Sequence, residues 1–135
     1  MLAEASTPYP QPIRQPRDIF DLLRDEARSW DRERFVTVAL DSGHRMLGLE
    51  EVSVGSLVAA PVHPREVFKA LILANAAAFI GVHNHPSGEP TPSIEDIGLT
   101  QKLREAGELL CIRLLDHIIL GRDRFTSLLE CGPWG

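Results

Sequence analysis

The sequence predicts an α/β protein in which helices form layers around a mixed β-sheet. Segments rich in apolar and β-branched residues, which are typical of strands, alternate with segments whose apolar residues recur at helical spacing. The first two strand segments are separated only by the polar run 41–44, which predicts an antiparallel hairpin. With 135 residues, 44% of them hydrophobic, the chain is long enough for one domain with its own core.

Composition narrows the class of protein. The formal net charge is −5 and there is no basic run, which argues against binding to nucleic-acid phosphates. Cys111 and Cys131 are the only cysteines, so neither a disulfide framework nor a thiolate zinc site is expected. No segment has the length and hydropathy of a membrane span, and the N-terminus lacks the pattern of a signal peptide. These features predict a cytoplasmic protein without a membrane partner.

The N-terminal residues predict an arm followed by a helix. Residues 1–17 contain four prolines and few side chains that could pack, so we expect a flexible or extended arm. From Asp18, which suits a helix N-cap, apolar residues recur at helical spacing as far as Trp30. The folded domain is therefore expected to comprise residues 18–135.

The remaining elements follow in alternation. A hairpin of strands 35–40 and 45–54 should precede a further short strand, 56–62, after a break at Gly55. The later predicted elements are helix 64–75, strand 76–82, the Pro-rich loop 86–92, a helix from Ser93 that Gly107 would end, and strands 111–120 and 125–128.

The most informative feature is a cluster of polar residues after the buried strand at the centre of the chain. His83 and His85 follow that strand with one residue between them. Alternate residues of a strand share a face, so both imidazoles should point to the same side. The loop 86–92 then leads to a helix with Ser93 as N-cap and Asp96 in its first turn.

Two imidazoles and one carboxylate form a ligand set that suits Zn²⁺. Three protein ligands with a fourth position open is the arrangement of catalytic rather than structural zinc. The helix dipole also favours an anion at the position of Asp96. The simpler alternative is that Ser93 and Asp96 form only a capping box, while the histidines make structural hydrogen bonds. We favour the zinc site, because neither a core nor a solvated surface requires this clustering.

Hydrolysis of an amide at such a site also needs a base, which takes a proton from water and returns it to the leaving amine. Glu33, Glu50 and Glu51 are carboxylates outside the ligand set. Glu50 and Glu51 would point to opposite faces of a regular strand, so only one of them could face the site. For each of the three, the alternative is a solvated surface position. The Ser93 hydroxyl could donate a hydrogen bond to an oxyanion in addition to capping the helix.

Asp116 and His117 lie within an apolar segment, where burial is costly unless each side chain finds a partner. Neighbouring residues of a strand face opposite ways, so at most one of the two can face the site. That residue could orient a ligand histidine, or it could make a purely structural hydrogen bond.

The spacing of the polar cluster resembles the JAMM motif of MPN/JAB-type metalloproteases. That motif is His-x-His, seven residues, Ser, two residues and Asp, with a glutamate upstream, and His83, His85, Ser93 and Asp96 match it. The sequence of residues 83–93 is similar to the bacterial RadC-like branch in particular, as are segments 64–67 and 115–119. The resemblance runs over residues 31–129, most of the chain.

This resemblance implies a three-layer α-β-α fold, similar to that of the cytidine deaminases, with zinc at the edge of the sheet. It implies His83, His85 and Asp96 as the zinc ligands, Ser93 as the oxyanion-stabilising residue and Glu33 as the base. Members of the wider family hydrolyse peptide or isopeptide bonds, so a protein or peptide substrate is expected. Full-length RadC-like proteins carry an N-terminal helix-hairpin-helix region, which this sequence lacks, and DNA binding is therefore less expected.

Three functions are compatible with these observations. The first is a zinc-dependent peptidase or isopeptidase in which Glu33 is the base. The second is a non-catalytic, JAB-like binding module that keeps the metal for stability. The third is a DNA-repair-associated accessory protein. The complete ligand set and the presence of a candidate base favour the hydrolase, because a binding module has no need of a base.

Overall fold

Six strands form one mixed sheet in the computed structural model, which describes residues 3–4, 11–132 and 134. The strands are β1 (Ala3–Glu4), β2 (Arg34–Leu40), β3 (Met46–Val54), β4 (Ala78–Asn84), β5 (Arg113–Leu120) and β6 (Phe125–Ser127). Their order across the sheet is β1-β3-β2-β4-β5-β6. The strands β4 and β5 are parallel, whereas every other neighbouring pair is antiparallel. The predicted mixed sheet with its first hairpin is confirmed.

Helices cover both faces of this sheet. They are α1 (Pro16–Ala27), α2 (Pro64–Leu73), α3 (Ile94–Leu110) and α4 (Leu128–Cys131). Ile19, Phe20 and Leu23 of α1 are buried in a core on one face, whereas Val67 of α2 and Leu103 of α3 are buried in a core on the other. The three-layer α-β-α arrangement is thus confirmed. No helix within the described residues is long and apolar enough to cross a membrane.

The central strand β4 is buried along its whole length and determines where the polar cluster lies. Ile80 and Val82 belong to the core beneath α1, whereas Phe79 belongs to the core beneath α2 and α3. Because successive residues alternate between faces, Gly81 and His83 lie on the same face as Phe79. The end of β4 therefore presents His83 toward α3 rather than toward α1.

The start of α1 differs from the prediction. Gln15, not Asp18, is the N-cap of this helix. The Asp18 carboxylate instead accepts hydrogen bonds from the backbone N–H groups of Arg14 (2.8 Å) and Gln15 (3.2 Å). An aspartate inside the first turn satisfies free N–H groups as well as one at the cap does, so composition alone misplaced the helix start. The helix also ends before Trp30, at Ala27.

The predicted strand 56–62 is wrong, because this segment forms turns. Gly55 leaves the extended conformation with a φ of +120°. The Ser56 hydroxyl then accepts a hydrogen bond from Ala59 N (3.1 Å), and the Ser56 carbonyl accepts one from Ala60 N (2.7 Å). A serine that bonds to its own following backbone competes with strand pairing. Of its apolar side chains, Leu57 and Val62 pack against the core, whereas Val58 is exposed.

The prediction that Gly107 ends α3 is also wrong, since the helix continues to Leu110. A side chain at Gly107 would collide with the carbonyl oxygen of Ile112, so the glycine allows the chain to return closely against the helix. Cys111 takes the left-handed position at the end of the helix, with a φ of +59°. A glycine is required at position 107, but it allows a close backbone contact and does not end the helix.

After β6 the chain forms the short helix α4, where the sequence predicts strand as far as residue 128. Ser127 begins this helix, because its hydroxyl accepts a hydrogen bond from Glu130 N at 3.2 Å. Eight residues of the predicted arm, 1–2 and 5–10, lie outside the described residues. Within the arm, β1 pairs with β3, and Pro12 forms a single bridge with Arg45.

Candidate metal centre

A strand, a loop and a helix in succession bring the polar cluster together. β4 ends at Asn84, and α3 begins beside it with Ser93 as its N-cap. His83, His85 and Asp96 each offer one ligand atom, and these three atoms lie within 4.8 Å of one another. Two imidazole nitrogens and a carboxylate oxygen at this spacing could hold a metal ion. The cluster expected from the sequence is therefore present in the fold.

Asp96 is the centre of this group and is fully buried. Its Oδ1 lies 2.9 Å from Nδ1 of His83, and its Oδ2 lies 3.1 Å from Nε2 of His85. The backbone N–H of Ser93 also donates to Oδ2, at 2.8 Å. Burial alone would raise the pKa of Asp96, but these three hydrogen bonds outweigh it and hold the pKa well below its usual range. The side chain is therefore a carboxylate, the form in which it can bind a cation.

Ser93 and Asp96 form the capping box that the sequence pattern suggested as the simpler alternative. The Ser93 hydroxyl oxygen accepts a hydrogen bond from Asp96 N at 3.0 Å, and the Asp96 carboxylate accepts one from Ser93 N. The carboxylate nevertheless also contacts both histidines. Capping and membership of the cluster are thus two roles of one side chain and do not exclude each other.

The two histidines are held differently. Nδ1 of His85 lies 3.0 Å from the carbonyl oxygen of Glu89. A carbonyl can only accept, so Nδ1 of His85 carries the proton and donates. The hydrogen bond with Asp96 is the main reason that the pKa of His85 is raised, against the opposing effect of burial. Nδ1 of His83 instead faces Asp96, and its Nε2 points toward Glu33, whose Oε2 is 3.5 Å away.

The residues present fit a bound cation. Within the described part of the chain, the buried Nε2 of His83 has no hydrogen-bond partner. Leaving such a group unsatisfied costs about 1–3 kcal/mol, and a metal ion would satisfy it. The donor set of imidazole nitrogen and carboxylate oxygen suits Zn²⁺ better than Mg²⁺ or Ca²⁺, which prefer oxygen ligands alone.

An open cleft of about 290 Å³ gives access to the cluster. Glu33, His83, His85 and Ser93 line it. Leu57 and Val58, in the turn that follows β3, also line it, and Val58 is 71% exposed. No lysine or arginine among the described residues lines this cleft. A neutral or cationic ligand therefore suits it better than an anionic one.

The three candidate bases occupy different places. Glu33 precedes β2 and lines the cleft beside His83. Glu50 and Glu51 lie on β3, one strand further from β4, and neither lines the cleft in the described structure. Glu51 instead forms an ion pair with Arg34. Of the three carboxylates, Glu33 is thus the one with access to a molecule in the cleft.

His117 lies on the same face of the sheet as the cluster, and Asp116 does not. Nδ1 of His117 is 2.6 Å from Oγ1 of Thr100, which in turn donates to the Asp96 carbonyl at 2.8 Å. Burial lowers the pKa of His117 to about 3, so the ring is neutral. Asp116 accepts hydrogen bonds from Ser127 Oγ (2.6 Å) and from the backbone N–H groups of His117 and Leu129.

Two contributors to the site were missed at the sequence level. Thr100 lies one helical turn after Asp96 on the buried face of α3, and this spacing could have identified it. The Glu89 carbonyl that holds His85 is a backbone group, which every residue possesses, so no sequence signal could have found it. Sequence patterns reveal side-chain chemistry but not which backbone groups a loop turns inward.

Comparisons with known proteins show which family this sequence resembles. A family model described as RadC-like JAB domain matches residues 13–133. A UPF0758 protein of Moorella thermoacetica is 58% identical over 118 residues, which cover 87% of this chain and 52% of the relative. A UPF0758 protein of Methanosarcina mazei is 49% identical over 120 residues, which cover 89% and 52%. The chain thus spans about half the length of these curated relatives.

The region matched by the family model contains the whole three-layer fold from α1 to α4 and every residue of the cluster. The mixed sheet and the helices on both faces are those that the family resemblance implied, and His83, His85 and Asp96 form a group that could hold a metal ion. This chain belongs to the RadC-like JAB domain family.

Proposed function

We propose that this chain is a zinc-dependent hydrolase of peptide or isopeptide bonds. The observation that carries the proposal is the grouping of His83, His85 and Asp96 within 4.8 Å at a cleft that Glu33 also lines. These three residues would hold the ion. When bound, zinc would supply Lewis-acid polarisation of a substrate carbonyl and would increase the acidity of water.

Glu33 is the residue that would move the proton. Its carboxylate is partly exposed to the cleft and lies 3.5 Å from His83 Nε2, so it can reach a water molecule beside the ligand set. In the proposed reaction the water oxygen bonds to the amide carbon, and Glu33 accepts the proton that the water releases. The C–N bond then breaks, and Glu33 returns the proton to the leaving amine.

Ser93 would stabilise the negative charge that develops on the carbonyl oxygen. Its hydroxyl oxygen already accepts a hydrogen bond from Asp96 N, but its own proton has no acceptor among the described residues. Ser93 lines the cleft, so its hydroxyl could donate to an oxyanion there while it still accepts from Asp96 N in the helix cap. Capping and catalysis use opposite ends of the same O–H group.

The charge of the cleft supports an amide substrate. Glu33 and Glu95 are acidic, and no lysine or arginine of the described chain lines the cleft. Apart from the ion itself, the lining thus offers no cationic side chain of the kind that holds the phosphates of a nucleic acid. An amide is neutral and releases an amine, which an acidic lining attracts.

Metal content is the first test of this proposal. Wild-type protein purified without added metal should contain about one zinc per chain, whereas His85→Ala should contain none. Peptide and isopeptide substrates should then be screened with the zinc-loaded protein. Glu33→Gln should retain the zinc and lose hydrolysis by about 100-fold or more, because the base is removed while the ligands remain.

The controls for that experiment are Glu50→Gln and Glu51→Gln, which should hydrolyse at the wild-type rate. If one of these variants were inactive and Glu33→Gln fully active, the choice of base would be wrong. Zinc-loaded protein that cleaves none of the substrates would favour the binding module over the hydrolase. A well-folded wild type that takes up no zinc even after reconstitution would overturn the proposal.

A further inference from the structure

A hydrogen bond and an ion pair hold the Pro-rich loop 86–92 against the turn between β5 and β6, which comprises residues 121–124. Gly88 adopts a φ of +89°, and its carbonyl accepts a hydrogen bond from Arg122 N at 3.1 Å. Oε2 of Glu89 lies 2.7 Å from the guanidinium of Arg124. These contacts join the loop to a part of the chain that contributes no residue to the ligand cluster.

Gly121 is the closest point of this contact. A Cβ atom at Gly121 would lie 2.5 Å from the carbonyl oxygen of Gly88 and 2.8 Å from Cδ of Pro90. Real Cβ atoms do not approach backbone so closely, so any larger residue at position 121 would push the loop away. The turn therefore fits the loop only because residue 121 has no side chain.

The loop in turn holds His85. Nδ1 of His85 donates to the Glu89 carbonyl (3.0 Å), and the backbone N–H of His85 donates to the carbonyl of Leu120, immediately before the turn (3.0 Å). The carbonyl of His85 accepts from Gly88 N at 2.9 Å. Both the ring and the backbone of His85 are thus tied to the loop and to the start of the turn.

We infer that the β5–β6 turn is a positioning element of the metal centre, and that Gly121 sets the orientation of His85 through the loop. This inference rests on the proposed function in so far as the cluster binds a metal. Nδ1 of His85 must donate to Glu89 for Nε2 to face the other ligands, because one ring nitrogen determines the direction of the other. A displaced loop would carry the Glu89 carbonyl away and free the ring to rotate.

Gly121→Ala tests the inference, with Gly98→Ala as the matched control. Gly98 lies on α3, and a Cβ there would meet no atom within 4 Å. Zinc affinity should be measured by competition with a chromophoric chelator, on variants whose metal-free fold is unchanged by circular dichroism. Gly121→Ala should bind zinc about tenfold or more weakly than the wild type, and Gly98→Ala should bind it equally well. Equal affinity of Gly121→Ala and the wild type would overturn the inference.

A charge exchange provides a second test that leaves the backbone untouched. Glu89→Arg places two cations together and should weaken zinc binding, and adding Arg124→Glu should restore it by re-forming the pair in reverse. Failure of the double variant to recover would show that charge at position 89, not attachment of the loop, controls affinity. This outcome would overturn the inference even if Gly121→Ala did not fold.

A metal-free readout separates this inference from the proposed function. In the metal-free wild type, proton–nitrogen-15 NMR should detect the His85 Nδ1 proton held by the Glu89 carbonyl, and in Gly121→Ala this proton should exchange faster with solvent. Absence of zinc binding by the wild type would overturn the proposed function alone. An unchanged exchange rate of the His85 Nδ1 proton in Gly121→Ala would overturn the positioning role whether or not zinc binds.

Discussion

The two sides of the candidate metal centre are held by different kinds of structure. His83 and Asp96 belong to a central strand and to the first turn of a helix, and both side chains are buried in the core. His85 lies just beyond the strand, its side chain is 14% exposed, and loop backbone holds its ring. One candidate ligand set can therefore combine two positions that the core fixes, His83 and Asp96, with one that depends on the local geometry of a loop, His85.

The burial of Asp96 gives the largest expected effect. Asp96→Asn removes the negative charge and replaces one of the two carboxylate oxygens, which face His83 and His85, with an N–H donor. We expect loss of detectable zinc binding and a free energy of unfolding lower by about 2–3 kcal/mol in the metal-free protein. His85→Asn should also lose zinc but should lower the free energy of unfolding by less than about 1 kcal/mol. Urea unfolding with and without zinc measures both quantities.

Those two variants test directly whether the buried residues and the loop-held residue contribute differently to stability. If His85→Asn lowered the free energy of unfolding of the metal-free protein as much as Asp96→Asn, His85 would belong to the core as much as Asp96 does. The distinction drawn from burial would then be wrong.

The stability of the protein should also depend on pH, because the buried side of the site contains His117. Burial lowers the pKa of this ring from 6.5 to about 3, although Asp96 opposes the shift. Between these values the unfolded chain binds a proton that the folded chain does not, so stability falls as the pH falls below 6.5. The slope from this group is at most about 1.4 kcal/mol per pH unit. Urea unfolding of metal-free protein at pH 7, 6 and 5 should show a smaller slope for His117→Asn than for the wild type.

A hydroxyl links this buried ring to the helix that carries Asp96. Thr100→Val removes the group that lies 2.6 Å from His117 Nδ1 while it conserves the shape of the side chain. The buried ring N–H then has no partner, so the free energy of unfolding should fall by about 1–2 kcal/mol. Thr100→Ser, which keeps the hydroxyl, should retain most of the stability.

Thr37→Val is the matched control for this substitution. Thr37 is fully buried on β2, and within the described residues its hydroxyl has no hydrogen-bond partner. Loss of that hydroxyl should leave the protein equally stable or more stable. A destabilisation by Thr37→Val equal to that by Thr100→Val would mean that the hydrogen bond to His117 contributes little.

The smallest effect is expected from the other buried aspartate. Burial raises the pKa of Asp116, so its ionised form is disfavoured where the ionised form of Asp96 is favoured. Asp116→Asn keeps the oxygen that accepts from His117 N and Leu129 N, and its amide can donate to Ser127 Oγ. Stability should change by less than about 1 kcal/mol, and zinc affinity should not change. If Asp116→Asn lost zinc binding, Asp116 would contribute to the site, and the two buried aspartates would not differ in the way described.

The parts of this structure that could be predicted are those that depend on periodicity. The central strand with its two following histidines is such a case, because a buried apolar run and a spacing of two residues determine face and position. The predictions for segment 56–62 and Gly107 were wrong because they depended on composition and not on a period. A short apolar segment can form a strand or a turn, and a glycine can allow a close backbone contact or end a helix. The contact between Gly88 and Gly121 joins distant positions, and no local pattern encodes it.

The order of the ligands along the chain has a consequence for the folding of the site. His83, His85 and Asp96 all come from one consecutive strand, loop and helix, so bringing them together closes only a short stretch of chain and costs little conformational entropy. Glu33 precedes β2 and is separated from them in sequence by a hairpin and a helix. A partly folded chain that retained only β4, the loop and α3 would keep the three ion-binding groups and lack the proposed base. Capture of the ion and competence for hydrolysis would then arise at different stages of folding.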